Sequence, residues 1–218
     1  MKIKILFITA LLISLLTNAQ VTDKNGNSYK TVKIGTQIWM AENVITTTFQ
    51  NGDQIPEAKN IEEWIKARNE GKPMFVSWDK SSDVKEYGNL YNWYAITDKR
   101  GFAPKGWHVP TDKEWSGLVD TLGGAKEAQF KLKSADGDIF DWVMPDTDGS
   151  NESGFDGLPA GDITAEGSYE DKGYFAYFWS TSEQEGFGQN RNLSYDGFPF
   201  DSASGDKGNG FSVRCIKD

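Results

Sequence analysis

The sequence is poor in the side chains that build most catalytic and metal centres. It has one cysteine and one histidine in 218 residues. One cysteine excludes a disulfide within the chain, and the three or four His and Cys ligands of an ordinary zinc site are not present. A Ser-His-Asp or Cys-His centre would have His108 as its only base.

Positive charge is also in deficit. Lys and Arg number 23 against 32 Asp and Glu, which gives a formal net charge of −9. Proteins that bind nucleic acids, or that bind anionic membranes through a polybasic patch, carry the opposite balance. The charge therefore argues against nucleic acid as a partner, and composition alone names no ligand.

Long apolar runs are absent after the first twenty residues. Lys2 and Lys4 precede the apolar stretch Ile5–Leu16, which small or polar residues follow up to Ala19. That order predicts a secretory signal peptide over residues 1–19. The alternative is a membrane anchor, but an apolar helix of this length spans about 18 Å of a ~30 Å hydrocarbon core. We therefore expect an exported protein, periplasmic, secreted or at the cell surface, with no membrane span in the mature chain.

Aromatic residues and glycines are abundant instead. The chain has 8 Trp, 8 Tyr and 13 Phe beside 23 Gly, a mixture typical of loop-rich proteins in which large rings fill an irregular core. The length allows one large domain or two small ones, and such a chain buries enough surface to fold without a metal or a disulfide. No repeat or linker-like tract divides it, so we expect one domain over residues 20–218.

Local patterns predict a hairpin and a helix in the first third of the chain. Tyr29–Ile34 and Gln37–Met40 flank a two-residue turn that begins with Gly35, which is typical of a β-hairpin. Asn60–Arg68 begins with a capping residue and carries apolar residues on one face, which predicts a helix.

The strongest helix pattern is Thr111–Leu122. Its first residue and Glu114 have the spacing of a capping box, the apolar residues form a single stripe, and Gly123 follows the last of them. Leu90–Tyr94 suggests another helical turn with Asn89 as a cap, although a strand is an alternative there.

The second half of the chain has a different texture. Residues 134–173 are rich in Asp, Gly, Ser, Asn and Pro, which predicts long irregular loops. Short strands are predicted at Tyr174–Trp179, Arg191–Tyr195 and Phe211–Ile216. Helices mostly first and strands mostly last predict an α+β fold with two or three helices, short antiparallel strands and long irregular loops.

Five ordered segments together are more specific than any one of them. They are Val32–Asn43, Tyr87–Ala95, Pro104–Trp115, Asn151–Phe155 with Leu158-Pro159, and Gly210–Cys215. In this order they resemble the Fibrobacter succinogenes major paralogous domain family over residues 21–218. The resemblance implies a C-type-lectin-like fold related to the formylglycine-generating sulfatase-modifying enzymes, with the first and last strands together and any site carried on long loops. It also implies an exported or surface protein and leaves the molecular function undefined.

The chain departs from the family pattern at several positions. Many members carry a cysteine where Ala103 stands, and another near the position of Ser77, so Cys215 has no partner in this chain. We expect Cys215 to be a small buried residue on one face with Phe211 and Val213, with pairing between chains as the minor alternative. Relatives have a Gly-Tyr-Arg-like run after the Leu-Pro pair, where this chain has Ala160-Gly161-Asp162-Ile163.

The enzyme interpretation is the weakest. The catalytic branch of the related fold uses a cysteine pair and a bound metal, which one cysteine cannot supply. His108 lies in a motif before a helix, where a hydrogen-bonded structural histidine is expected. A glycoside hydrolase needs two carboxylates, and nothing among the 32 acidic residues singles out a pair. We therefore predict no catalytic residues.

A calcium site is predicted in the loop half. Residues 146–152 alternate oxygen donors in a turn-forming segment, as flexible calcium loops do. The candidate ligands are Asp146, Asp148, Asn151 and Glu152. The segment is not a full EF-hand loop, and the alternative interpretations are a solvated Asp/Gly turn and a structural loop tie.

A second candidate site is a sugar-binding shelf. The apolar face of a sugar ring stacks on Trp or Tyr, while Asp, Asn and Arg bond its hydroxyl groups. The candidate ligand-binding residues are Trp142, Tyr169, Arg191, Asn192, Tyr195 and Asp196. The alternative for these residues is ordinary packing, which we expect for five other tryptophans, Trp39, Trp93, Trp107, Trp115 and Trp179.

Taken together, the sequence predicts an exported, non-catalytic recognition module that binds a glycan or a surface protein through its 134–205 loop region. A structural or assembly protein of the cell envelope is the first alternative, and a hydrolase with an unrecognised carboxylate pair is the second. Calcium is the one cofactor that the sequence suggests.

Overall fold

One sheet joins both ends of the described chain. The computed structural model describes residues 20–78, 81–135, 142–143 and 149–218. The first sheet has the order β1-β2-β3-β12-β6, with every neighbouring pair antiparallel. Its strands are β1 (Gln20–Thr22), β2 (Ser28–Ile34), β3 (Gln37–Met40), β6 (Trp107–His108) and β12 (Ile216–Lys217). The predicted N-terminal hairpin is confirmed as β2 and β3, and Gly35 in their turn has a φ of 59°.

The remaining strands form three smaller antiparallel sheets. The largest has the order β11-β10-β9 and is built on a long hairpin. Two strand pairs, β4-β5 and β7-β8, complete the described sheets. Their bounds are β4 (Phe75–Val76), β5 (Leu90–Tyr91), β7 (Asp162–Ile163), β8 (Tyr169–Glu170), β9 (Phe175–Gln184), β10 (Phe187–Ser194) and β11 (Ser202–Gly205).

The described residues form five helices, more than the two or three that the sequence predicted. They are α1 (Ile61–Glu70), α2 (Ser81–Tyr87), α3 (Trp93–Ile96), α4 (Asp112–Leu122) and α5 (Ala125–Leu132). The predicted cap of α1 is confirmed, since the Asn60 side chain accepts from the Glu63 amide. The capping box of α4 is confirmed as well, and Gly123 ends that helix in the left-handed conformation. None of the described helices has both the length and the apolar content that a membrane span requires.

One helix prediction needs correction, the helical turn over Leu90–Tyr94, where the strand given as the alternative forms at the first two residues. The short helix α3 is capped by Asn92 rather than Asn89, and Leu90 and Tyr91 before it form a strand. Asn89 is buried, and its side-chain oxygen accepts from the Ser77 hydroxyl while its amide donates to the backbone of Ile45. An Asn that caps a helix and an Asn that ties two loops look alike in sequence.

The last predicted strand is largely a crossing segment. Residues 211–215 bond alternately to different parts of the fold: the Phe211 amide donates to Tyr91, the Ser212 amide to Tyr177, and the Cys215 carbonyl accepts from Met40. Only residues 216–217 form a regular strand. The apolar alternation is nevertheless real, because Phe211, Val213 and Cys215 all lie in one buried cluster.

The core is filled by the aromatic residues of the motif segments. Trp39, Trp115 and Trp179 are fully buried, and the rings of the first two lie 4.5 Å apart. Trp93 and Trp107 are only partly buried and pack against the cluster that contains Trp179. Cys215 is fully buried, as predicted, and burial raises the pKa of its thiol. The coarse prediction of a mixed fold with few helices and antiparallel strands is confirmed.

Candidate functional site

Three of the five motif segments meet at one buried guanidinium. Arg214 is 1% exposed, and its Nε donates to the Asn43 side chain at 2.5 Å. Its two terminal nitrogens donate to the carbonyl groups of Met40, Phe155 and Asp156. Burial lowers the pKa of Arg214 to about 10, so the side chain is still charged at neutral pH. These motif residues therefore hold the fold together rather than contact a ligand.

His108 is also tied into the structure. Its Nδ1 lies 2.7 Å from Asp218 and its Nε2 lies 2.8 Å from Glu114, the carboxylate of the capping box. Burial lowers the pKa of His108, but the hydrogen bonds and charges of these two acids outweigh it and raise the pKa above its ordinary value. The predicted hydrogen-bonded histidine is confirmed.

A cleft with ligand-binding dimensions lies elsewhere, beside the N-terminus of α1. Its volume is about 400 Å³, within the range of roughly 300–1,000 Å³ that is usual for small-molecule sites. Three parts of the chain form it: residues 57–64, the end of β4 with the two residues that follow it (76–78), and the β7-β8 hairpin, which contributes Ile163 and Tyr169.

Two aromatic rings make one wall of this cleft, which we call the aromatic cleft. Tyr169 is 49% exposed, and its ring centroid lies 5.2 Å from that of Trp78. The Lys172 ammonium lies 4.5 Å from the Trp78 centroid and lies close to Tyr87 as well. Lys172 therefore contacts the Trp78 ring, while the Tyr169 ring is half-exposed.

The floor of the aromatic cleft is rigid. Trp64 is 1% exposed, and its indole N–H donates to the Thr164 carbonyl at 2.9 Å, which ties α1 to the β7-β8 hairpin. Ile163 and Gly210 exchange two backbone hydrogen bonds. A Cβ on Gly210 would meet Ile163 at 2.4 Å and Trp64 at 2.9 Å, so only glycine allows this approach.

The rim of the aromatic cleft is polar. Lys59 and Glu57 form an ion pair there, and both lie beside the cap of α1. The Asn60 oxygen accepts from the Glu63 amide, and the residue is exposed. Ser77 is also on the rim, where its hydroxyl donates to the Asn89 side chain at 2.9 Å. Donors and acceptors thus surround an aromatic wall.

Asp162 lies on the face of β7 opposite to Ile163, because successive side chains of a strand alternate. It is 7% exposed, and Glu170 stands directly opposite in the ladder. Next to Glu170, Asp171 accepts from the Tyr177 hydroxyl at 2.7 Å. Burial first, then the charges of Asp171 and Glu170, raises the pKa of Asp162 to about 7.

This carboxyl makes the stability of the fold depend on pH. The pKa of Asp162 is higher in the folded protein than in the unfolded chain. The contribution of this carboxyl to the free energy of unfolding is therefore fully present below about pH 4 and is lost as the pH rises through about 7. Asn cannot ionise, so we expect Asp162→Asn to melt at least about 3 °C higher than the wild type at pH 8, roughly 1 kcal/mol for a domain of this size. At pH 4 the two should melt together.

The control for this prediction is Asp201→Asn, since Asp201 is exposed. Thermal melts of the three proteins across pH 4–8, followed by circular dichroism, provide the measurement. A wild type and an Asp162→Asn variant with the same pH profile would contradict the prediction.

The six residues of the predicted sugar shelf lie in separate places. Tyr169 alone lines the aromatic cleft. Arg191 is 6% exposed and bonds Asp112 and Ser116 of α4. Trp142 is 3% exposed, with the Lys133 ammonium 4.2 Å from its ring.

The other three shelf residues follow along β10 and its end. Asn192 lies opposite Tyr177 in the β9-β10 ladder. Tyr195 contacts Tyr174 and Phe175 edge to face, and Asp196 is exposed in the turn beyond the strand. Arg191 bonds α4 from within β10, whereas Tyr195 follows the strand and packs on Tyr174 and Phe175, so the structure does not bring these residues together.

The predicted calcium ligands are only partly described. Asp146 and Asp148 lie outside the described residues. Asn151 holds Asp156 through both its oxygen and its amide nitrogen, and Glu152 is exposed. Within the described ranges, no group of three or more His, Cys, Asp and Glu side chains is placed to hold a metal ion. Asn151 therefore acts as the loop tie that the sequence gave as an alternative.

Sequence reasoning missed most of the aromatic cleft. Trp64 was predicted only as part of an apolar helix face, and Trp78 received no prediction. One signal in the sequence could have found Trp78. This tryptophan belongs to neither a motif nor a periodic apolar face, so the sequence gives it no evident position in the core. The predicted loop half supplies Ile163 and Tyr169, and the first half supplies the remaining lining residues.

Among the comparisons with known proteins, one family model matches the chain. No curated protein and no solved structure matches the chain. The family model described as the Fibrobacter succinogenes major domain matches residues 32–217. That range contains Arg214, the segments that bond it, and the whole aromatic cleft. The chain therefore belongs to the Fibrobacter succinogenes major domain family.

Proposed function

We propose that this protein is an exported, non-catalytic carbohydrate-binding module of C-type-lectin-like fold, and that it binds sugar in the aromatic cleft. The observation that carries the proposal is the half-exposed Tyr169 ring beside Trp78, above a rigid floor and within a polar rim. The lectin-like part of the proposal is supported by the shared sheet of the N-terminal hairpin and the last strand. Export rests on the signal peptide pattern of residues 1–19.

The chemistry of the cleft suits a sugar better than a wholly apolar ligand. A sugar ring offers C–H groups on one face, which pack on an aromatic ring, and hydroxyl groups around its edge. The rim supplies the Lys59 ammonium, the Glu57 carboxylate and the Asn60 amide for those hydroxyl groups. Hydrogen bonds to charged groups are the stronger ones, so the rim would fix the orientation of the ring.

Recognition without catalysis is supported by the position of Asp162. A general acid near neutral pH needs a raised pKa and access to the substrate. Asp162 has the raised pKa, but it lies on the face of its strand opposite to the cleft residue Ile163 and does not line the cleft. The Asp162 carboxyl is thus out of reach of a ligand that packs on Tyr169.

The test is a glycan array probed with the mature protein, with and without a chelator. We expect retention of a restricted set of saccharides. No retained saccharide under either condition would contradict the proposal. Export is tested separately by mass spectrometry of the protein recovered outside the cytoplasm. Cleavage after Ala19 would leave Gln20 as its first residue.

Calcium remains a proposal for the loop at residues 146–152. If that loop binds Ca²⁺ in the folded state, millimolar Ca²⁺ should raise the melting temperature and a chelator should lower it, since a ligand that binds only the folded state stabilises it. Asp148→Ala should remove the response. A melting temperature that neither calcium nor the substitution changes would remove the metal site from the account.

The second candidate function is assembly in the cell envelope. It is favoured by exposed apolar side chains around the start of β9 and the end of β10: Val143 is 48% exposed, Tyr174 43% and Phe198 67%. The Val143 amide donates to the carbonyl of Gly173, next to Tyr174, so two of the three are neighbours. Light scattering that shows concentration-dependent assembly, together with an empty glycan array, would favour this function over sugar binding.

A further inference from the structure

The β7-β8 hairpin has two faces of opposite chemistry. Ile163 and Tyr169 are directly opposite each other in its ladder, and both line the aromatic cleft. Asp162 and Glu170 are the other pair of the ladder, and their side chains lie on the reverse face because successive residues of a strand alternate. A force on the acidic pair therefore acts on the cleft pair as well.

The two strands of the hairpin are anchored unequally. Ile163 of β7 exchanges two backbone hydrogen bonds with Gly210, and Gly161 just before this strand donates to the Phe175 carbonyl at 2.8 Å. In the sheets of the described residues, β8 pairs with β7 alone, and both of its residues are exposed. A two-stranded pairing is marginal by itself. The strand that carries Tyr169 is therefore the one that can move.

Three carboxyl groups lie together on the reverse face. Asp162 is 7% exposed, and Glu170 faces it from β8. Asp171 is fixed in the turn that follows, because its carboxylate accepts from the Tyr177 hydroxyl at 2.7 Å and its backbone carbonyl accepts from two amides around the start of β9. Tyr177 is the titratable group that faces Asp162 from β9. Lys172, the residue after the turn carboxylate, has its ammonium against the aromatic wall of the cleft.

Loss of the Asp162 proton changes the balance of charge on this face. With its proton, Asp162 is neutral and meets Glu170 without repulsion. Without it, a buried negative charge lies opposite Glu170 and beside Asp171, and like charges directly opposite in a ladder destabilise the pairing. Burial, followed by the charges of Asp171 and Glu170, raises the pKa of Asp162 to about 7, so this change falls near neutral pH. Since Asp171 is fixed, β8 relieves the repulsion by moving away from β7.

We propose that Asp162 is a positioning residue that makes sugar binding in the aromatic cleft depend on pH, with tighter binding in acidic than in alkaline medium. This inference rests on the proposed function, to which it adds a means of release. Asp162 does not contact the sugar. Its ionisation lowers the fraction of molecules in which Tyr169 stands beside Trp78, and the apparent affinity falls in proportion to that fraction.

A glycan array probed with a concentration series of the protein at pH 5.5 and pH 8.5 tests the inference. We expect the apparent affinity of the wild type for each retained saccharide to be at least about threefold lower at pH 8.5, which corresponds to a binding-competent fraction of about one third. Asp162→Asn should bind equally at both pH values. The control is Asp201→Asn, which removes an exposed carboxyl and should behave as the wild type.

A second variant separates a charge effect from a purely structural one. Glu170 is exposed and does not line the cleft, so Glu170→Gln should leave the affinity at pH 5.5 unchanged. It should also lose less affinity than the wild type between pH 5.5 and pH 8.5, because β8 then carries no charge opposite Asp162.

The free protein provides a readout that needs no sugar. In ¹H–¹⁵N spectra recorded from pH 5.5 to pH 8.5, the indole signal of Trp78 should move through a midpoint near pH 7 in the wild type and stay in place in Asp162→Asn. The pKa of His108 is also raised, but His108 does not line the cleft and is present in both proteins. The difference between the two proteins therefore reports on Asp162.

The outcomes separate this inference from the proposed function. Equal binding at the two pH values, the same pH profile in the wild type and Asp162→Asn, or a Trp78 signal that moves equally in both proteins would overturn the pH dependence and leave sugar binding in place. No saccharide retained at either pH would overturn the proposed function and the inference with it.

Discussion

Replacing Arg214 with methionine should remove a large part of the free energy of unfolding of this protein. The guanidinium bonds four oxygens, three on the buried residues Asn43, Met40 and Phe155 and one on the partly buried Asp156. Each buried acceptor left without its donor costs about 1–3 kcal/mol, so we expect a loss of at least about 3 kcal/mol. A domain has only about 5–15 kcal/mol in total, and Arg214→Met should be poorly folded at 37 °C.

Urea unfolding followed by tryptophan fluorescence measures this effect. Arg214→Lys should be intermediate, because a lysine keeps the charge but cannot bond all four oxygens at once. Lys113→Met is the control: that lysine is exposed on α4, so a change of less than about 0.5 kcal/mol is expected. An Arg214→Met protein with the wild-type midpoint would contradict the structural role of the motifs.

Replacing Tyr169 with alanine should abolish most of the sugar affinity and leave the fold intact. The ring is 49% exposed, so its removal uncovers little core. In a binding site, however, a central aromatic residue is often worth 2 kcal/mol or more. We expect binding to weaken by about 10- to 30-fold, which corresponds to roughly 1.4–2 kcal/mol.

A matched aromatic residue outside the cleft serves as the control for Tyr169. Tyr174 is 43% exposed and contacts Tyr195 rather than the cleft. Tyr174→Ala should bind with wild-type affinity, and Tyr169→Phe should retain most of it because the ring is kept. Titration calorimetry on the saccharide that the array identifies gives all three affinities. Equal losses in the two alanine variants would mean that the effect does not come from the cleft.

The elements that the sequence predicted well are those determined by neighbouring residues. The β2-β3 hairpin depends on a turn that begins with Gly35. The helix α4 depends on its capping box and on Gly123, all within one segment. Such signals are local, so they need no knowledge of the rest of the fold.

The elements that were missed depend on distant partners. The helix α5 has no side-chain cap at Gly124, and it packs between α4 and β10. Residues 211–215 alternate like a strand, but their backbone bonds go to β3, β5 and β9 in turn. The sequence pattern cannot distinguish pairing with one neighbour from bonding to several.

Dependence on distant partners also explains why the sequence predicted only part of the aromatic cleft. Tyr169 was predicted because a loop-half aromatic residue has no obvious core position. Its neighbours Trp64 and Trp78 come from the other half of the chain, and only the β7-β8 hairpin packed on α1 brings them together. Arg191, predicted as a sugar ligand, donates two hydrogen bonds to the Asp112 carboxylate at the start of α4.

The indole N–H signals of the protein test the central claim most directly. The chain has eight tryptophans, each of which gives one indole signal in a ¹H–¹⁵N correlation spectrum. If a saccharide binds in the aromatic cleft, its addition should shift the signals of Trp78 and Trp64 and leave the buried Trp39 and Trp115 unchanged. Shifts at Trp142 or Trp107 with Trp78 unmoved would place the ligand elsewhere and contradict the account.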